Sequence, residues 1–322
     1  MEGGLKWLIT GGCGFIGSSL VARLLETGGA SAIRVLDNIS TGTMEALDEA
    51  RGALDAATVE FVKADVGDPD ACRESAKGMD IVVHLAASTG VPRSVDDPRK
   101  DMESNVVGTF NMLEAAREMG AGAFVFASSS APLGAQDPPM HEERACRPMS
   151  PYGAGKLAGE GYCSAFFWAY GLKTVSLRFG NVYGPRSAHK TSVVARFFRQ
   201  ALTGEEIVIY GDGEHTRDFI YVDDLVSAVV LSAGSGAGGE LFQIATSRET
   251  SINEIAFKVR GIVESGTGMR VGLRHERGLQ GEMKRNYSDI SKARRLLGFS
   301  PQVDIDDGLR RTFEYFKRHE LR

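Results

Sequence analysis

Residues 4–17 read Gly4-Leu5-Lys6-Trp7-Leu8-Ile9-Thr10-Gly11-Gly12-Cys13-Gly14-Phe15-Ile16-Gly17, and this stretch decides the fold. Leu5 to Ile9 is a short, mostly apolar run that predicts a strand. It enters the glycines directly, and Ser18-Ser19-Leu20-Val21-Ala22-Arg23-Leu24-Leu25 follows with apolar residues at helical spacing. Strand, glycine turn and helix start form a unit that cradles a dinucleotide pyrophosphate. The glycines permit the tight turn and close backbone approach, and the N–H groups of the first helical turn face the anion. A second strand, Ile33 to Asp37, ends in an acid 20 residues after Gly17, suited to the 2′- and 3′-hydroxyls of an adenosine ribose. A carboxylate there repels a 2′-phosphate, so the expected cofactor is NAD rather than NADP. Gly11, Gly14, Phe15, Ile16, Gly17, Asp37 and Asn38 are its first candidate contacts.

Strands and helices alternate beyond this unit. Val59 to Asp65 and Asp80 to Ala87 read as the third and fourth strands, the latter with the continuous apolar character of a strand buried on both faces. Asp65, Val66, Leu85, Ala86 and Ala87 join the cofactor candidates, since small Ala86 and Ala87 let a cofactor lie across the strand end. A helix is predicted over 105–119, with Val106, Phe110, Leu113 and Ala116 on one face. Ala123 to Ser128 is the fifth strand and Thr174 to Phe179 the sixth, with a helix from Tyr152 between them. Asp37, Asp65 and Ser128–Ser130 fall at strand C-terminal ends, the edge of an open parallel sheet where ligands bind. The expected fold is a Rossmann-like, doubly wound α/β sheet with a smaller C-terminal substrate-binding domain. Residues 1–180 form the first domain, with 219–247 returning to it through a late strand at 240–245. Residues 181–218 and 248–322 form the second, completed by two helices and short strands.

Of 322 residues, 25% are charged and 43% hydrophobic, with a net charge of −5. That balance is ordinary for a globular protein and argues against a general nucleic-acid surface. The N-terminal apolar run is too short for a secretory signal, and no stretch reaches the roughly 18–20 apolar residues of a membrane helix. Cys13, Cys72, Cys146 and Cys163 are scattered, which predicts neither a disulfide framework nor a zinc site. The six histidines show no metal-ligand spacing. A cytoplasmic protein without a metal, nucleic-acid or membrane partner is expected.

Tyr152 and Lys156 lie four residues apart at a helix start and so share a face. An ammonium there is expected to lower the phenol pKa and to bond a cofactor ribose, and the helix dipole favours the phenolate. A tyrosinate beside NAD is suited to take the proton of an alcohol as hydride leaves its carbon. Ser129 is placed to hydrogen-bond the same oxygen. Alone, the Tyr–Lys spacing is common; its weight comes from sharing a chain with the glycine turn and the strand-end serine.

Thr10 to Gly17, Asp65-Val66, His84 to Ala87, Ser128 to Ser130, Ser150 to Lys156, Arg178 to Pro185, Gly211 to Phe219, Asp289 to Ala293 and Leu296 to Pro301 together resemble the extended short-chain dehydrogenase/reductase family. More narrowly, they resemble its NAD-dependent nucleotide-sugar epimerases and dehydratases. The resemblance implies a retained NAD that oxidises the sugar C4 hydroxyl to a 4-ketose, which is altered and then reduced. It implies a UDP-sugar substrate, with Asn181 and Arg217 on the diphosphate and Val208 and Tyr210 on base and ribose. Val193, Arg277 and Glu282 complete the implied substrate contacts. It also implies a homodimer through the helices at 105–119 and 152–170, the second carrying Ala165, Phe166, Phe167, Trp168 and Tyr170.

The departures bear on the reaction. Family epimerases carry Ala-Val-Tyr-Gly where this chain has Ala131-Pro132-Leu133-Gly134. The 4,6-dehydratases carry an acidic or Asp-Lys pair at the positions of Ser130 and Ala131. Leu279 stands where an arginine usually holds phosphate, and Arg277 is the candidate replacement. The altered 131–134 segment resembles the UDP-N-acetylglucosamine 5,6-dehydratases of tunicamycin formation. That dehydration is the favoured expectation, with Ser129, Tyr152, Lys156 and Ser130 as catalytic candidates and Glu142 and Cys146 as neighbours. A UDP-glucose or UDP-N-acetylglucosamine 4-epimerase is the alternative, and a non-catalytic nucleotide-sugar-binding subunit the third reading.

Overall fold

The apolar runs of the first half pair as neighbours in one parallel sheet. The computed structural model describes residues 4–52, 59–278 and 283–320. Its strands β1 (Lys6–Thr10), β2 (Ala32–Asp37), β3 (Val59–Lys63), β4 (Ile81–His84), β5 (Ala123–Ser129) and β6 (Thr174–Phe179) lie in the order β6-β5-β4-β1-β2-β3. Four short strands follow in the chain: β7 (Asn181–Tyr183), β8 (Ile207–Tyr210), β9 (Thr216–Arg217) and β10 (Phe219–Tyr221). β11 (Glu240–Ile244) then returns to the sheet edge, in parallel register with β6, Phe242 opposite Leu177. β12 (Thr250–Ser251) pairs with β9, and β13 (Leu273–Glu276) with β8.

Alternate residues of each strand feed two separate cores, as the two-residue period of a strand requires. Trp7, Ile9, Val35, Val83 and Val125 belong to one, and Leu8, Leu36, Val82, Phe124 and Phe126 to the other. Helices cover both faces: α1 (Phe15–Thr27), α2 (Met44–Arg51), α3 (Pro69–Ala76), α4 (Val91–Asp96), α5 (Pro98–Met102), α6 (Gly108–Glu118) and α7 (Pro151–Tyr170) in the first half. α8 (Val193–Leu202), α9 (Val222–Gly234), α10 (Ile252–Thr267), α11 (Ser291–Leu297) and α12 (Ile305–Glu320) follow. Strand order reverses at β1, which lies between β2 and β4, so the crevice outside the ends of β1 and β4 is the topological switch point where such sheets bind ligands.

Two expectations need correction. The helix expected over 105–119 is not one regular helix. Residues Glu103–Val107 form a π-helical turn, and regular α6 starts only at Gly108. Thr109 Oγ1 donates to the Asn105 carbonyl, and Asn105 turns its side chain to the backbone of Ser88, so local side-chain bonds compete with the regular ladder. Among the described residues the C-terminal part holds three helices rather than two, because the seven-residue α11 is too short to show a clear period. Among the described residues no helix is long and apolar enough to cross a membrane.

Candidate active site

Gly11 leaves β1 with φ at +70°, and a Cβ there would lie 2.8 Å from the Ala86 backbone nitrogen, so only glycine lets the ends of β1 and β4 approach this closely. Gly14 caps α1 without a side chain, leaving first-turn amides for an anion. Asp37 accepts from the Cys13 amide at 3.0 Å and the Ile39 amide at 2.8 Å, one on each oxygen. A carboxylate has about four acceptor sites, so these bonds fix the group and leave lone pairs for a ribose. Asn38 donates to Asp65 at 2.6 Å, and Asp65 also accepts from the Gly67 amide at 2.7 Å.

One cavity brings together Gly11, Gly14, Asp37, Asn38, Val66, Leu85, Ala86 and Ala87, with Lys190 reaching in from the other half of the chain. Asp65 borders the adjoining space. Phe15 and Ile16 instead pack into or against the core beneath the turn, and Gly17 lies against the backbone of Gly11 and Gly12. Anion-binding amides beside a fixed carboxylate fit an adenine dinucleotide.

Ser150 caps α7 by accepting from the Gly153 amide at 3.1 Å, and Pro151 occupies the first helical position. The helix then presses on β5: a Cβ at Gly159 would lie 2.4 Å from the Phe126 ring. That approach brings Tyr152 and Lys156 to Ser129 at the end of β5. Ser129 faces the Tyr152 hydroxyl closely enough to act on its pKa, and Ser129 Oγ accepts from the Ala131 amide at 3.2 Å. Lys156 is buried; its Nζ donates to the Ala127 carbonyl at 2.8 Å and lies 4.9 Å from the centre of the Phe126 ring.

The electrostatics differ from the expectation of an acidified phenol. Burial pushes the Tyr152 pKa up, Ser129 opposes it, and Asp101 pushes it further up. Lys156 does not relieve this, because its ammonium is turned to Ala127 and is 5.9 Å from the phenol ring centre. Burial lowers the Lys156 pKa to about 8, against the opposing charge of Asp101.

Beneath the trio, Arg178 of β6 makes two hydrogen bonds to Glu160 of α7, at 2.8 and 2.7 Å, and Ser128 donates to the same carboxylate at 2.5 Å. Cys146 accepts from Arg178 at 3.1 Å, and Glu142 accepts from the Gln243 amide of β11 at 2.8 Å. Both loop candidates are thus tied to strand ends. Ser130 opens the 3-10 turn Ala131–Leu133, in which Pro132 and Leu133 are buried.

The implied substrate residues occupy connected segments of the C-terminal half. Val193 opens α8. Val208 and Tyr210 lie on β8, and exposed Arg277 directly follows the adjacent β13, whose Glu276 is in register with Tyr210. Arg196 lies over the Tyr210 ring at 4.8 Å. Exposed Asn181 opens β7, its amide bonded to the Asp218 carbonyl at 2.8 Å. Arg217 donates to the Thr216 and Met283 carbonyls at 2.7 and 2.9 Å. Glu282 and Leu279 lie outside the described residues.

Three features escape a reading of the sequence. Asn105 clamps the Ser88 backbone by both its amide and carbonyl and donates to buried Asp101 at 2.9 Å. His84 is fully buried between Thr10 at 2.8 Å and Thr109 at 3.1 Å. Because Thr109 donates to the Asn105 carbonyl, it accepts from His84 Nε2, so Nδ1 accepts from Thr10, which in turn accepts from the Ala86 amide at 3.1 Å. This directed chain joins the cofactor edge of β4 to the π-helical turn. The third is Lys190, which stands in a loop without periodicity.

Residues 7–245 match the NAD dependent epimerase/dehydratase family. Over 318 residues the chain is 39% identical to the UDP-glucose 4-epimerase of Mycolicibacterium smegmatis, covering 97% of this chain and 99% of that one. It superimposes with a TM-score of 0.88 and 34% identity on the UDP-glucose 4-epimerase of Thermotoga maritima with UDP-glucose, covering 98% and 99% of the two chains. It is similar, with a TM-score of 0.87, 31% identity and 98% coverage of both chains, to the dTDP-glucose 4,6-dehydratase of Streptomyces venezuelae with NAD and TYD bound. The chain belongs to the NAD-dependent epimerase/dehydratase family, and its cofactor is NAD.

Proposed function

We propose that the chain is a UDP-hexose 4-epimerase. The observation that carries this reading is the placement of Tyr152 beside Ser129 with Lys156 one turn further along α7, in a site whose neighbouring Glu142 and Cys146 are engaged elsewhere. Epimerisation needs one acid–base group at C4 and no second base at C5. Elimination needs a C5 base and a C6 acid, and the segment after Ser130 offers only Ala131, Pro132, Leu133 and Gly134. The relatives' names favour epimerisation over the 5,6-dehydration expected from the sequence.

NAD, when bound, supplies the hydride acceptor and donor. Gly11, Gly14 and the start of α1 hold its pyrophosphate and Asp37 its adenosine ribose; Lys156 bonds the second ribose. Tyr152 takes the proton of the C4 hydroxyl and returns it after the 4-ketose has rotated, while Ser129 holds the oxygen in line. Asn181, Arg217 and Arg277 bind the diphosphate, and Val193, Val208 and Tyr210 pack against the uridine. In this reading residues 1–180 with 219–247 hold the cofactor, and 181–218 with 248–322 hold the sugar nucleotide.

The active unit is a homodimer joined through α6 and α7. Phe166 packs internally, but Trp168 is 79% and Tyr170 56% exposed, an aromatic surface that a partner helix would cover. Sedimentation at micromolar concentration is expected to give twice the chain mass; a monomer would refute the dimer. For the reaction, UDP-glucose, UDP-galactose and UDP-N-acetylglucosamine are incubated separately and followed by proton NMR and mass. Interconversion of C4 epimers at unchanged mass is expected, and a product lighter by one water would overturn the reading in favour of dehydration.

A further inference from the structure

The cofactor cavity holds one cationic side chain, and it does not come from the glycine turn. Among the described residues that line the cavity, Asp37 is the only acid and Lys190 the only base. Lys190 belongs to the loop between β7 and α8, on the far side of the crevice. Among the described residues no carboxylate pairs with its ammonium. Burial lowers its pKa, and the charge of Arg93 lowers it further.

The loop is held so as to deliver this side chain. Arg186, with φ at +64°, reaches Glu49 of α2 at 3.7 Å, and Tyr315 of α12 donates to the same carboxylate at 2.7 Å. Ser187 Oγ donates to the Gly184 carbonyl at 2.6 Å, and the Lys190 amide to the Ser187 carbonyl at 2.8 Å. Arg199 of α8 donates to the carbonyls of both Ala188 and Lys190. The loop is therefore tied to the first half of the chain by the Arg186 side chain and to the second by its backbone, and the Lys190 side chain lines the cavity.

We propose that Lys190 is the cation that locks the pyrophosphate of NAD against the glycine turn. The turn offers the pyrophosphate only neutral N–H groups and a helix dipole. A diphosphate carries two negative charges, and a charge-assisted hydrogen bond from an ammonium holds it more firmly than neutral donors do. Because the loop continues into α8, which begins at Val193, the same strap joins cofactor retention to the sugar side. The inference rests on NAD being bound and not on which sugar reaction follows.

The test reads cofactor release. Purified holoprotein is chased with excess labelled NAD, and the exchange rate is followed by filtration. Lys190→Gln is expected to speed release on the order of tenfold, the effect of one lost charge-assisted bond. Lys190→Arg keeps the charge and is expected to stay within about threefold of the unaltered chain. Release from the unaltered chain should quicken with salt, and that dependence should flatten in Lys190→Gln. Release from Lys190→Gln within about twofold of the unaltered protein, or equal acceleration by Gln and Arg, would overturn the proposal. Neither outcome depends on the product formed, so failure here is distinct from failure of the epimerase reading.

Discussion

Two loops face the same cofactor cavity and are built in opposite ways. Residues 10–17 carry a local signature, a positive φ at Gly11, a bare helix cap at Gly14 and a Gly14 amide bonded back to the Gly11 carbonyl at 3.1 Å, although Gly11 and Cys13 also bond to Leu36 and Asp37. Residues 184–190 are shaped from a distance. Their form depends on Glu49, Tyr315 and Arg199, which lie on three different helices. The first loop announces itself in any sequence. The second becomes visible only once the chain is folded, because nothing in Arg186-Ser187-Ala188-His189-Lys190 has a period or a motif. Both loops line one cofactor cavity, yet only the one whose signature lies in neighbouring residues can be read without the fold.

The largest expected effect lies at Tyr152. Tyr152→Phe removes the C4 acid–base group but keeps the ring. It should lose on the order of 10²–10⁴ in turnover while NAD remains bound. Single-turnover reduction of NAD by sugar nucleotide, followed by absorbance, checks this; an unchanged rate would mean that the base lies elsewhere.

Next comes the ion pair that joins β6 to α7 beneath Ser129, Tyr152 and Lys156. Arg178→Met leaves Glu160 buried without its cation, and breaking such a pair costs about 3–5 kcal/mol. Urea unfolding should show this loss of stability. A change no larger than that of a surface substitution would show that the pair does not hold β6 to α7.

A smaller effect sharpens the contrast between the loops. Asp37→Ala removes the ribose acceptor from the locally built side and should weaken NAD retention on the order of tenfold. Discrimination against NADP should fall in parallel, while the KM for sugar nucleotide stays unchanged. If the unaltered protein bound NADP as well as NAD, the role given to Asp37 would be wrong.

A separate, pH-dependent effect concerns His84, whose pKa burial lowers to about 3, with Lys156 adding to the shift. The unfolded histidine titrates near about 6.5, so below that pH the unfolded chain binds a proton that the folded chain refuses. Stability should therefore fall as pH drops from about 6.5 toward about 3. Urea midpoints across that range should fall less steeply in His84→Gln; parallel slopes would remove His84 as the cause.

The sheet was legible because apolar strand runs and glycine punctuation are local signals: the Ile33–Asp37, Ala123–Ser128 and Thr174–Phe179 readings differ from the observed strands by at most one residue at an end. The meeting of Ser129, Tyr152 and Lys156 was legible from motif and helix spacing. Their electrostatics were not, since the direction of the Lys156 side chain is set by the Ala127 carbonyl and the Phe126 ring. The irregular turn before α6 was hidden for a related reason. Asn105 and Thr109 read as ordinary helical residues until Ser88 and His84 are brought beside them.

The central claim, C4 epimerisation by hydride removal and return at one carbon, is tested most directly by turning over UDP-glucose in heavy water. The account predicts UDP-galactose that carries protium at both C4 and C5, at unchanged mass. Deuterium at C5, or a product lighter by one water, would contradict it.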